Sequence, residues 1–138
     1  MTGVQTCALP ICFGVTSSGV ADMMNRVRQP FNVNSVAQAA AAASLTDDDF
    51  VARSRALNNA GMLQITQGLQ KLGLEFITSF ANFVSFRIAN AGDIYLKLLQ
   101  NGVIVRPIAN YEMPDYLRVS IGLFSENSRF LEVLSDIV

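Results

Sequence analysis

Two arginines carry the strongest chemical signal in this chain. Val103–Arg106 is an apolar run that ends on Arg106 and is stopped by Pro107, which has no backbone N–H to continue a ladder. In Leu117–Ile121 the residues alternate: Leu117, Val119 and Ile121 face one way, Arg118 and Ser120 the other. Both stretches read as short strands. If they are neighbours, Arg106 and Arg118 converge. Two guanidinium groups held close repel each other unless an anion sits between them, and each presents a planar fork that suits a carboxylate or a phosphate. The pair is a candidate oxyanion clamp. The alternative is two solvated arginines paired with local acids such as Glu112 and Asp115.

The rest of the chain must position that pair. Phe13–Thr16 reads as a short strand. A helix follows from a Ser17 or Ser18 cap through Arg28, with Val20, Met23, Met24 and Val27 as its apolar face and Pro30 beyond its end. Asn34 or Ser35 can cap an alanine-rich helix through Ala43. Leu45–Phe50 reads as another helix start, with Thr46 as N-cap, Asp49 in the box position and Leu45 stapling to Phe50. Its acidic triplet Asp47–Asp49 complements the positive end of the helix and makes a poor metal site, because consecutive helical residues point in different directions. That helix runs to Leu72 and stops at Gly73, with Gly61 and Gly68 weakening it. Leu74–Thr78 and Asn82–Ile88 read as strands and Asp93–Gln100 as a helix. The two arginine strands follow. Ser125 then caps a last helix that turns Phe130, Leu131, Leu134 and Ile137 inward. The expected fold class is α+β, a small, mostly antiparallel sheet under helices.

Composition narrows the chemistry. The chain has 138 residues, 51% of them hydrophobic and 15% charged, which suits a packed core rather than a disordered segment. The net charge is −1 and the basic residues are dispersed, which argues against nucleic-acid binding. No apolar run has the length of a membrane span. The two cysteines, Cys7 and Cys12, both lie near the N-terminus, a pattern that is no disulfide framework and fits a reducing cytoplasm. With no histidine, the usual general base, the Ser-His and Cys-His nucleophile arrangements and most transition-metal sites are missing.

Met1–Cys12, MTGVQTCALPIC, fits nothing that follows. It is a poor signal peptide, and its Cys-x4-Cys spacing lacks a second ligand pair for zinc. Thr2–Ile11 back-translates to ACT GGA GTT CAG ACG TGT GCT CTT CCG ATC, which resembles a sequencing-library adapter read in frame. Residues 1–12 are therefore expected to be an artefact or a disordered leader.

Four stretches, NRVRQPFNVNSVAQAAAAASL, ARSRALN, GVIVRPIANYEMPDYLRVSIGL and ENSRFLEVL, run in order along the body. Together they make Phe13–Val138 resemble the C-terminal part of the histidinol-phosphate aminotransferase family, fold-type-I class I/II enzymes that use pyridoxal 5'-phosphate. The resemblance implies that the position of Arg118 binds the substrate carboxylate and also the phosphate of histidinol phosphate. It implies that Arg106 assists with the phosphate and that Asn82 lies near the substrate. It divides the chain into the end of the large domain and interdomain helix at 13–44 and the small domain at 45–138. It also implies amino transfer between histidinol phosphate and glutamate or 2-oxoglutarate, in a cytoplasmic homodimer of the intact parent. The family's Schiff-base lysine stands in a Ser-Lys-x-x-Gly context. Neither Lys71 (in QKLG) nor Lys97 (in YLKLL) matches it, so the chain is expected to hold no cofactor-binding residue and to be inactive alone. Other readings are a related transaminase or phosphate-ester decarboxylase, or a non-catalytic anion-binding module.

Overall fold

A computed structural model describes residues 5–8 and 11–138, with side chains from residue 14 onward. Of the leader, residues 1–4, 9 and 10 lie outside the described residues; Gln5–Ala8 (β1) pairs antiparallel with Ile11–Gly14 (β2). The chain divides into two compact units after Val51.

In the first unit, helix α1 spans Ser18–Val27, with Ser17 at its N-cap and Arg28 at its C-cap. Val20, Met23, Met24 and Val27 all lie exposed on it. Helix α2, Ser35–Ser44, is capped by Asn34, whose Oδ1 accepts the Ala37 N–H at 2.8 Å. Thr46 does not cap the next helix. Its hydroxyl donates to the Ala43 carbonyl at 3.0 Å and closes α2 instead. The cap of α3, Asp48–Lys71, is Asp47, whose carboxylate accepts the Phe50 N–H at 2.9 Å. A charged oxygen outcompetes a hydroxyl at the positive end of a helix. This one-residue shift moves the staple frame, and Leu45 and Phe50 stay exposed.

The second unit is built on four antiparallel strands in the order β3-β4-β6-β5. These are Phe76–Ile77 (β3), Phe83–Arg87 (β4), Arg106–Pro107 (β5) and Tyr116–Ser120 (β6). The strand expected over Leu74–Thr78 is only two residues long, and β4 is a residue shorter at each end than expected. The strand expected over Val103–Arg106 is instead the two-residue β5, and it includes Pro107. Proline is tolerated there because β5 is a sheet edge. Val103 is drawn out of the sheet by its N–H bond to the Leu98 carbonyl, 2.9 Å, behind helix α4, Ala91–Gln100.

The inner face of the sheet gives Val84, Phe86, Leu117 and Val119 to a core completed by Ile65 and Leu69 of α3, Leu98 of α4, and Phe130, Val133 and Leu134 of α5. Helix α5 spans Phe124–Ile137. Its start is two residues earlier than expected: Leu123 is the N-cap, Ser125 lies inside the helix, and the Glu126 carboxylate turns back to accept the Leu123 N–H at 2.7 Å. Helix α3 ends as expected, with Gly73 at φ 69° and the Leu74 N–H donating to the Leu69 carbonyl at 2.9 Å.

Gly61 and Gly68 are contact points rather than mere weak points of α3. A Cβ at Gly61 would collide with the Ile121 γ-methyl and come within 2.9 Å of Asn127 Nδ2; one at Gly68 would collide with the tip of Leu131. Leu131 can swing its branched end, whereas Ile121 is stiff at Cβ. Gly61→Ala is therefore expected to destabilise by about 1–3 kcal/mol, less the helix-propensity gain of about 1 kcal/mol. Gly68→Ala should fall near zero. Chemical denaturation of both variants checks the ranking, and equal losses would refute it.

Candidate functional site

Strand register places the two arginines directly opposite each other, Arg106 on β5 against Arg118 on β6. Cross-strand partners share a face. Arg118 is also the register partner of Ser85 on β4, and Ser85 of Ile77 on β3. A row Ile77–Ser85–Arg118–Arg106 thus crosses the whole sheet on the face opposite the core. Like charges directly opposite in a ladder are unfavourable unless something of the other sign lies between them.

Local acids do not fill that role. Among the described residues the ion pair is Arg87 with Glu75, at 3.7 Å, and neither Glu112 nor Asp115 pairs with Arg106 or Arg118. Glu112 sits at φ 61° after a short 3-10 turn, Ala109–Tyr111. Asp115 contributes its backbone carbonyl to the Ile88 N–H, at 2.8 Å.

The two arginines differ in setting. Arg106 is exposed on the edge strand, and Arg118 is half-buried at the sheet centre. The Arg118 guanidinium lies over the Phe83 ring, Cζ 4.6 Å from the centroid. Its Nε is buried and has no hydrogen-bond partner. An unpaired buried donor costs about 1–3 kcal/mol, so this side chain stands ready for an acceptor. Two uncompensated cationic forks on one open face can take a carboxylate, a phosphate, or both.

Asn82 is placed differently. It precedes β4, and its carbonyl accepts the Ile121 N–H at 2.8 Å. By strand parity it goes with Val84 and Phe86 rather than with Ser85, and its side chain hydrogen-bonds neither arginine. The structure therefore brings Arg106 and Arg118 together and adds Phe83 and Ser85 to them. The sequence did carry a signal for Phe83: an aromatic residue alternating in step with Ser85 and Arg87, on the polar side of its strand. Both lysines are exposed on helices, Lys71 at the end of α3 and Lys97 on α4. Among the described residues no cluster of histidine, cysteine, aspartate or glutamate is arranged to hold a metal ion, and no helix is long and apolar enough to cross a membrane.

The model of the family described as aminotransferase class I and II matches residues 9–134. A histidinol-phosphate aminotransferase of Methylobacillus flagellatus is 68% identical over 130 residues, covering 94% of this chain and 35% of that protein. The chain thus spans about a third of that relative's length. Among solved structures, the histidinol-phosphate aminotransferase of Clostridium acetobutylicum aligns with a TM-score of 0.81 at 24% identity, over 91% of this chain and 40% of that one. The Sinorhizobium meliloti histidinol-phosphate aminotransferase in complex with pyridoxal-5'-phosphate aligns at 0.77 and 21% identity, over 92% and 37%. These two likenesses concern the fold.

Proposed function

This chain belongs to the aminotransferase class I and II family, and from that premise we propose that it is the substrate-anion-binding C-terminal part of a pyridoxal-phosphate-dependent transaminase. The proposed reaction moves an amino group between histidinol phosphate and 2-oxoglutarate. The observation that carries the reading is the cross-strand pair of Arg106 and Arg118, opposite in register and, among the described residues, paired with no carboxylate. In this reading Arg118 takes the substrate carboxylate through a bidentate pair, and also the phosphate of histidinol phosphate. Arg106 adds charge mainly for the phosphate dianion. In the same reading Asn82 lies near the substrate. The 68% identity to a histidinol-phosphate aminotransferase supports the choice of substrate.

The residues of this chain fit the substrate anion and not the cofactor. Pyridoxal phosphate needs a lysine amine beside the reacting carbon. Lys71 and Lys97 stand exposed on helices, and neither belongs to the row that carries the arginines. In the proposed whole protein, 13–44 ends the large domain and forms the interdomain helix, 45–138 is the small domain, and the assembly is a cytoplasmic homodimer.

The test is amino transfer from histidinol phosphate to 2-oxoglutarate by the full-length protein that contains this chain; glutamate production dependent on pyridoxal phosphate is the expected result. The 138-residue chain alone should give neither turnover nor a stoichiometric adduct after incubation with pyridoxal phosphate and borohydride reduction. A site-specific adduct on Lys71 or Lys97 in peptide mass spectra, together with turnover, would refute that expectation.

A further inference from the structure

An arginine that grips anions needs its fork free and its plane fixed, and these needs conflict. A carboxylate partner would fix the guanidinium but occupy the fork. Water leaves the fork available but lets the long side chain wander. Arg118 has no carboxylate partner among the described residues: its side chain makes no hydrogen bond or ion pair with them, and its Nε is buried. What it does have is the Phe83 ring, 4.6 Å from Cζ. We infer that Phe83 is a positioning residue for Arg118, its ring holding the guanidinium plane so that the N–H edge meets an incoming carboxylate or phosphate.

The strands dictate the contact. Phe83 is the register partner of Ser120 and Arg118 that of Ser85, so Phe83 and Arg118 are diagonal neighbours on one face. That separation is bridged by an aromatic and a long side chain reaching toward each other. The negative face of the ring attracts the cation without accepting the in-plane hydrogen bonds an oxyanion will use. It also excludes water from one side of the guanidinium, which strengthens the remaining interactions. Arg106 has no such aromatic contact among the described residues and is exposed on the edge strand. The two arginines are thereby unequal: Arg118 is held ready, and Arg106 must be ordered by the ligand at an entropic cost. The inference deepens the anion-site reading above and rests on it.

The test uses the isotopically labelled 138-residue chain with inorganic phosphate as probe, followed by NMR at the arginine side-chain N–H signals. In the unsubstituted chain the Arg118 Nε–H signal should be displaced by the aromatic ring current. Phe83→Leu should abolish that displacement and weaken phosphate binding about fivefold, the scale of one cation–π contact on a half-buried group. Phe83→Tyr keeps the ring and should restore both, while backbone amide spectra show that the fold persists. If Phe83→Leu leaves phosphate affinity unchanged while Arg118→Ala abolishes it, the anion site stands and the role of Phe83 falls. If Arg118→Ala leaves the affinity unchanged, the anion-site reading falls and takes this inference with it.

Discussion

Arg118→Ala, made in the full-length protein that contains this chain, should lower kcat/KM for both the amino donor and the oxo-acid acceptor by roughly one to two decades. A charge-assisted hydrogen-bonded contact is worth on the order of 1.5–3 kcal/mol, which is about one to two decades. In the proposed reading Arg118 meets the phosphate of histidinol phosphate and a carboxylate of 2-oxoglutarate or glutamate, so both substrates lose the contact. Loss of the half-buried guanidinium also leaves Arg106 as the only cation of the row, on an exposed edge strand where solvent screens it. Arg106→Ala should behave differently. It removes charge needed mainly by a phosphate dianion, so histidinol phosphate should suffer more than glutamate. Steady-state kinetics with each substrate, for each variant, separates the two. Equal losses for both substrates in Arg106→Ala would refute the division of labour. An unchanged kcat/KM in Arg118→Ala would refute the clamp itself.

The parity of that clamp was legible from residues alone. Leu117, Arg118, Val119 and Ser120 alternate cleanly, and the structure buries Leu117 and Val119 while leaving Arg118 on the other face. The register was not legible. Nothing in Val103–Pro107 says that Arg106, rather than Val105, will face Arg118, because that choice depends on how the chain leaves α4 at Leu98. Helix starts were readable to within one or two residues and misread in detail, because neighbouring acceptors compete. Thr46 and Asp47 both qualify as caps, and the preceding helix took the hydroxyl. Asn82 is a case where motif resemblance and local geometry pull apart: it adjoins the right strand but has the parity of the core-facing residues. Close helix contacts were invisible for a related reason. A glycine in a helix looks like a defect until the residue that packs over it, Ile121 or Leu131, is known.

Asn127→Ala should be the most damaging polar substitution in the second unit, costing about 2–4 kcal/mol. Asn127 is 2% exposed, deep for an amide. Its Oδ1 accepts the Gly122 N–H at 3.0 Å, and its Nδ2 donates to the Gly122 carbonyl at 3.2 Å and to Gln64 Oε1 at 3.1 Å. Only this orientation of the amide satisfies all three. Gln64 is committed in turn, with Nε2 donating to Ser128 Oγ at 2.9 Å and to the Phe124 carbonyl at 3.1 Å. The network ties α3 and α5 to the residue just beyond Ile121, where β6 has ended and the chain turns. Truncation to alanine removes three bonds of about 1 kcal/mol each and leaves buried partners unpaired, with partial relief if water enters. Asn127→Asp should be no better. The carboxylate still accepts from Gly122 but cannot donate to a carbonyl, and it buries a charge. Asn127→Leu keeps volume and orphans the same groups, so an apolar swap should not rescue. With a urea slope of about 1–2 kcal/mol/M for a domain of this size, the midpoint should fall by roughly 1–4 M. A loss below about 0.5 kcal/mol in all three variants would show the network to be incidental. A large loss would mean that the end of β6, and with it the strand that carries Arg118, is held by a buried amide on α5 as well as by its own ladder.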